Sequence, residues 1–332
     1  MKRLFLLLAV VTFIVACNSL STTDVKIVVP QRQGWDNEIP LYGDVESVTI
    51  SEYGVEDKFG EVVRTATYNS KAYCFNTAGD VVEFESICYQ EQWLNSKCTY
   101  VYDSLGNLIE RNDYSSDGSL REKSTYEYDS LGNVLGQEIY WAGVTLGFKY
   151  IYKYDSSGNK IEDAIYNSDG SLSAKNIYKY SSTGNVIEKG EYRYGGTLEW
   201  KYIYKYDESG NKTEEARYKS DGSMFYRDTY KYDKYGNLIE QFEGSRSVRT
   251  TYKYDSSGNL IEKMESGFKY IYTYNLVGNV VEIARYKSDG SLVNKFVCKY
   301  DSVGNLIEKT EYWGDVLSPS RQTEYQITYR NK

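Results

Sequence analysis

Three runs of this chain place four aromatic side chains at alternate positions: Phe148/Tyr150/Tyr152/Tyr154, Trp200/Tyr202/Tyr204/Tyr206 and Phe268/Tyr270/Tyr272/Tyr274. Alternate residues of an extended strand share a face, so each run presents a stripe of rings. Rings flanked by acids can stack on sugar rings or on an extended peptide. The same rings can instead pack together and hold a sheet. The candidate contact residues are Phe148, Tyr150, Tyr152, Trp200, Tyr202, Tyr204, Phe268, Tyr270 and Tyr272. Other chemistries fare worse. The 332 residues contain no histidine, which removes Ser-His-Asp and Cys-His catalysis and His-based metal sites. The cysteines have neither Cys-x-x-Cys nor zinc spacing. The carboxylates come in ladders, whereas a glycosidase acid needs one carboxyl set apart by burial. Asp-Ser-x-Gly-Asn turns offer oxygens in series, but without the EF-hand pattern, and such Asp and Ser residues usually cap their own amides. The expectation is contact without catalysis, with no metal and no cofactor.

The elements that must position these rings are copies of one unit. Phe148 to Asn159 alternates aromatic with Lys or Ile and then breaks at Asp-Ser-Ser-Gly-Asn, a strand followed by a turn. The turn glycine recurs at 79, 106, 132, 158, 184, 210, 236, 258, 278 and 304, and seven of those nine intervals are 26 or 27. A second turn falls mid-repeat, at Ser116-Asp117-Gly118-Ser119, Ser168 to Ser171, Ser220 to Ser223 and Ser288 to Ser291. Roughly ten repeats of two strands give about twenty strands, a length of about 95 Å if the sheet stays open. The two stripes at 148 and 200 then lie four strands apart, roughly 19 Å.

Both turns place Gly fourth after Tyr, which suits a type I turn closed by a left-handed glycine, a G1 bulge. With that turn Tyr154 lies opposite Lys160 and the tyrosines keep one face. The residue two after Gly (Leu108, Leu238, Leu260, Leu306) is expected on that face. So is the Glu four after it (Glu83, Glu110, Glu162, Glu188, Glu214, Glu240, Glu262, Glu282, Glu308), with Lys153, Lys205, Lys231 and Lys253 and Ile161, Ile239 and Ile261 on the other.

The ends differ from the middle. Lys2 and Arg3 precede an apolar run from Leu4 to Val15, so residues 1–16 read as an export signal. The ending Ile14-Val15-Ala16-Cys17 resembles the lipobox of bacterial lipoproteins and makes Cys17 the lipidation site; an ordinary signal with an incidental cysteine is the alternative. Residues 17–40 read as lipid anchor and tether, and 41–98 as degenerate capping repeats. Residues 99–332 are the repeat domain. Without Lys2 and Arg3 the chain carries 37 basic against 47 acidic residues, about −10, which argues against nucleic acid as a partner. Cys88 and Cys98 could pair as a disulfide across a hairpin, or stand as buried thiols. Tyrosine, at 37 residues, dominates the apolar fraction, with only 3 prolines; such a composition builds a thin or hollow wet-edged sheet rather than a Leu/Ile core.

The recurring Tyr-x-Tyr-Asp-x-x-Gly-Asn-x-Ile-Glu, over roughly residues 73–310, resembles the YD (tyrosine-aspartate) repeat family of Rhs and teneurin-type surface proteins. The resemblance implies hairpins wound into a β-spiral that encloses a toxin or forms a cell-contact module. Here Asn follows Gly where that family favours Arg, and no Rhs-type autoproteolytic aspartates follow. The chain looks more like short repeat-only lipoproteins of Gram-negative bacteria. The expected fold is all-β, an antiparallel meander of hairpins in an elongated curved or spiral, solenoid-like sheet. The expected role is a cell-envelope binding and spacer module touching a glycan or protein, or a purely structural one. It is held to a membrane by the N-terminal lipid. Asn18 after Cys17 lacks the Asp-type retention signal, which points to the outer membrane.

Overall fold

A computed structural model describes residues 32, 33, 35, 39–89, 96–314 and 318–330. The export signal, Cys17 and the turn at 91–95 lie outside the described residues. Twenty-two strands run from β1 (Val45–Lys58) to β22 (Ser318–Tyr329) among the described residues. No helix there is long and apolar enough to cross a membrane. The chain divides into two compact units: Cys98–Arg249, and the residues up to Lys97 together with Thr250 onward.

In the 98–249 unit each strand from β5 (Leu108–Tyr114) to β15 (Leu238–Glu243) pairs antiparallel with the next. Both turns are the same device. Asp155 N–H donates to Asn159 O at 2.9 Å and Gly158 N–H to Asp155 O at 3.0 Å; Asn167, Gly170 and Ser171 repeat the pattern. Gly158 and Gly170 sit at φ +81° and +82°, the left-handed region that a Cβ disfavours. The repeated Asp and Asn hold this turn. Asp155 Oδ1 accepts the amides of Ser157 and Asn159, and its Oδ2 accepts the Asn159 side-chain amide at 3.0 Å. That bond explains why Asn follows the glycine.

The facing differs from expectation at one point. Tyr154 does lie opposite Lys160, but Lys153 lies opposite Glu162, with a register shift between them. A second bulge therefore follows each G1 turn, with Ile161 as the extra residue. It moves the Glu four after glycine to the lysine face. Lys153 pairs with Glu162 at 2.8 Å, and Glu188 lies between Lys179 and Lys201 at 2.9 and 2.8 Å. The expected carboxylate ladder among the tyrosines is thus a Lys–Glu ladder on the opposite face.

In the other unit β16 (Val248–Tyr254) to β22 pair in succession. The open or spiral sheet is overturned here. β1 pairs with β2 (Glu61–Phe75) on one side and with β22 on the other, Ile50 lying opposite Lys71 and Tyr325. Within this unit the last strand thus pairs with the first, a contact that an open meander lacks. β1, the first strand of residues 41–98, is accordingly paired along both edges. Val45, Val48, Val81 and Tyr73 are at most 1% exposed at this seam, and burying such side chains stabilises by about 1.5–3 kcal/mol each.

The described residues of the 17–40 segment make specific contacts with this unit. Trp35 packs edge-on against Tyr73 at 4.8 Å and donates its Nε1–H to Ile39 O. Arg32 lies over the Phe75 ring and donates to Gly79 O and Gly43 O. Asn305, fully buried, grips Tyr42 through both its amide groups.

Candidate functional site: the aromatic stripes

In the 98–249 unit the stripes lie on β8 (Thr145–Tyr154) and β12 (Thr197–Tyr206); in the other unit the third lies on β18 (Phe268–Tyr274). Each stripe has a closing ring, middle rings and a leading ring, and they do different things.

The closing ring holds the backbone. β7 (Val134–Trp141) pairs with β8 only from Gly136 opposite Ile151 onward, so the bulge leaves Val134 O beyond the ladder. The Tyr154 hydroxyl donates to it at 2.9 Å. Tyr128, Tyr180, Tyr206 and Tyr232 reach Leu108, Lys160, Val186 and Lys212 carbonyls in the same way, at 2.7–2.9 Å. In the other unit Tyr274 and Tyr300 do so at 2.8 Å. An unpaired backbone carbonyl costs free energy when water is excluded, so the hydroxyl completes the bulge.

The middle rings are packed among fixed charges. Tyr202 and Tyr272 are 8% and 9% exposed and offer no ring face to a ligand. Tyr202 stacks parallel to Tyr204 with centroids 6.4 Å apart and donates to Glu191. Lys212 lies over Tyr204 and Tyr230 and pairs with Glu215 at 2.7 Å. Two repeats earlier, Lys160 lies over Tyr152 and Tyr178 and pairs with Asp163. Burial, then the Asp163 carboxylate, pushes the Tyr152 hydroxyl up to about 12. Burial raises Tyr272 to about 12 as well. Tyr202 and Tyr204 are shifted further upward, by burial and then by Glu191 and Glu215.

The leading rings differ. The Arg217 guanidinium lies 3.7 Å above Trp200, which also contacts Phe225 at 5.0 Å. Arg285 lies 3.7 Å above Phe268 and also faces Tyr270. At the corresponding position of the first stripe stands Ile165, opposite Tyr150, and Phe148 meets Trp141 edge-on at 6.3 Å. Phe148 and Tyr150 are half-buried. Sequence reasoning missed the arginines, although both stand seven residues after the turn glycine.

The four described cysteines are thiols, so the Cys88–Cys98 disulfide is not formed. Cys98 is buried and donates to Asp113 Oδ1, which Arg111 also contacts at 2.8 Å. Burial and that carboxylate push the thiol up to about 11. Among the described residues no group of three or more Cys, Asp and Glu side chains could hold a metal ion.

No family model matches the chain, and no curated protein does. Among solved structures it is similar to TcdB2-TccC3, at 14% identity and TM-score 0.34 over 79% of this chain and 17% of that one. The chain thus spans about a sixth of that protein's length. It is also similar to a porin-like protein from Bacteroides uniformis, at 11% identity and TM-score 0.32, covering 86% of this chain and 96% of that one. A third is the Photorhabdus luminescens Tc holotoxin pore, at 10% identity and TM-score 0.23, over 79% and 22%. At such scores these likenesses carry no argument for function.

Proposed function

We propose that this chain is a YD-repeat-like lipoprotein of the cell envelope, a non-catalytic spacer that also binds a glycan or a protein. What supports the spacer is that each repeated residue has an architectural task. The tyrosine caps the bulge carbonyl, the aspartate and asparagine hold the turn, and lysine pairs with glutamate across strands. The first stripe carries the binding reading, because Ile165 leaves Phe148 and Tyr150 without the guanidinium that covers Trp200 and Phe268. Trp200, Tyr202, Tyr204, Phe268, Tyr270 and Tyr272 are then structural. Anchoring through Cys17, in the outer membrane, rests on the Ile-Val-Ala-Cys ending.

A glycan array and a pull-down with residues 17–332, repeated with Phe148→Ala and Tyr150→Ala, test this reading. Loss of a signal from a variant that is still folded at the assay temperature supports contact at the first stripe. Binding that survives both substitutions removes the stripe from the account. A chain that binds nothing favours the second reading, a purely structural envelope protein, to which the arginine-covered rings already lend weight.

A further inference from the structure

Near the point where the described chain begins stands a hairpin tip unlike its siblings. Sibling turns carry Ser-Ser, as at 156–157 and 256–257, or one exposed apolar residue at the second position, as at Leu105, Leu131 and Tyr235; here both positions are apolar, Leu276 and Val277, 106% and 80% exposed. In the next such turn of the same unit Val303 is 49% exposed. Exposed apolar pairs at a tight turn are costly to keep in water without a use.

A chain of contacts links this tip to the N-terminal segment. The Asn279 amide lies against Gly304, 3.9 Å from where a Cβ would stand, and Val303 lies against Gly43 in the same sense at 3.6 Å. Asn305 grips Tyr42, and Arg32 donates to Gly43 O at 2.8 Å. The described chain therefore starts beside the row of turns that carries Leu276, Val277 and Val303. Fourteen residues, 18–31, lie between Cys17 and Arg32. Fifteen Cα–Cα steps reach at most about 50 Å.

We propose that Leu276 and Val277, with Val303 beside them, form a lipid-docking tip that enters the interfacial region of the membrane holding the anchor. The inference rests on the anchored reading above, because an acyl chain on Cys17 would keep this row of turns close to the bilayer. The lipid is zwitterionic, since a chain near −10 is repelled by an anionic surface. Two side chains give weak partitioning alone, and they add to the affinity of the anchor by fixing which face of the unit meets the lipid.

The test uses residues 17–332 with Cys17→Ser, made without the export signal and hence unacylated, floated with phosphatidylcholine–phosphatidylethanolamine vesicles. The chain is expected to partition measurably. Leu276→Ser with Val277→Ser should lower partitioning about tenfold or more at the same melting temperature. No partitioning of the unsubstituted tip, or equal partitioning of the Ser variant, overturns the proposal. Acylation is read separately, by alkyne-fatty-acid labelling of the full-length precursor and its Cys17→Ser variant. Absence of label removes the anchor without touching the flotation result.

Discussion

Residues 41–81 and the hairpins of residues 134–232 solve one problem in two ways. The first region buries Leu41, Val45, Val48, Ile50, Tyr73, Phe75 and Val81. It does so with two long strands, of 14 and 15 residues, and with Trp35 laid over them. In the hairpins the buried apolar side chains are Ala164, Ala216 and Tyr202, too small or too polar to drive association. There the repeated stabilisers are a hydroxyl on a bulge carbonyl, an Asp-held turn and a Lys–Glu rung. The seam is closed by hydrophobic burial, and the repeats are held by hydrogen bonds renewed in each copy.

The largest break of that contrast is at the seam. Phe75→Ala should cost about 3–5 kcal/mol, because a 5%-exposed ring wedged between Trp35 and Arg32 leaves a cavity. Phe148→Ala, at a half-buried ring, should cost less than half as much. Denaturant midpoints of the two variants decide it, and equal losses would erase the distinction.

High pH should strike the tyrosine layer next. Tyr152 and Tyr272 are raised to about 12 from an ordinary value of 10. Their neutral forms therefore stabilise the fold fully below pH 10, and that stability is lost as pH rises from 10 through 12. For buried Tyr272 the loss is on the order of 2 kcal/mol. With no histidine to titrate near neutrality, unfolding followed by circular dichroism should steepen above pH 10, in step with tyrosinate absorbance.

Acid acts more weakly, on the turns. Hydrogen bonds from Asn107, Asn133, Asn159 and Asn211, side-chain amide first and then backbone N–H, hold Asp103, Asp129, Asp155 and Asp207 below the usual carboxylate value of 3.8. That contribution is present above pH 4 and lost as pH falls below it, and Asp155→Ala should flatten part of the acid limb in a pH–stability curve. Smallest is the exposed rung: Glu188→Gln should change stability by about 0.5 kcal/mol or less, an effect that 1 M salt removes.

Much of this was legible in the chain itself. Gly fourth after Tyr in both turn types specified one turn, because only that turn keeps Tyr154 opposite Lys160. The second bulge was not marked: nothing in Lys160-Ile161-Glu162 distinguishes an extra residue from a regular one. Charge held the available clue, since Lys153 and Glu162 recur as opposite signs at fixed positions and so belong on one face. The pairing of β1 with β22 joins residues more than 260 apart, beyond any local pattern. Arg32 and Trp35 were hidden by the neighbouring prolines, their partners Tyr73, Phe75 and Gly79 lying roughly forty residues further along, at the end of β2 and in the turn after it. The stripes were found, but which rings stay open depended on Arg217, Arg285 and Ile165, and periodicity does not weigh those residues.

The claim on which the rest depends is that repeated tyrosine hydroxyls, rather than ring burial, complete the bulged ladder. Guanidinium denaturation of a variant carrying Phe at 128, 154, 180, 206 and 232 measures this directly. A stability loss near 1 kcal/mol per site, roughly additive across the five, is the predicted result. Unchanged or increased stability, as ring burial alone would give, contradicts it.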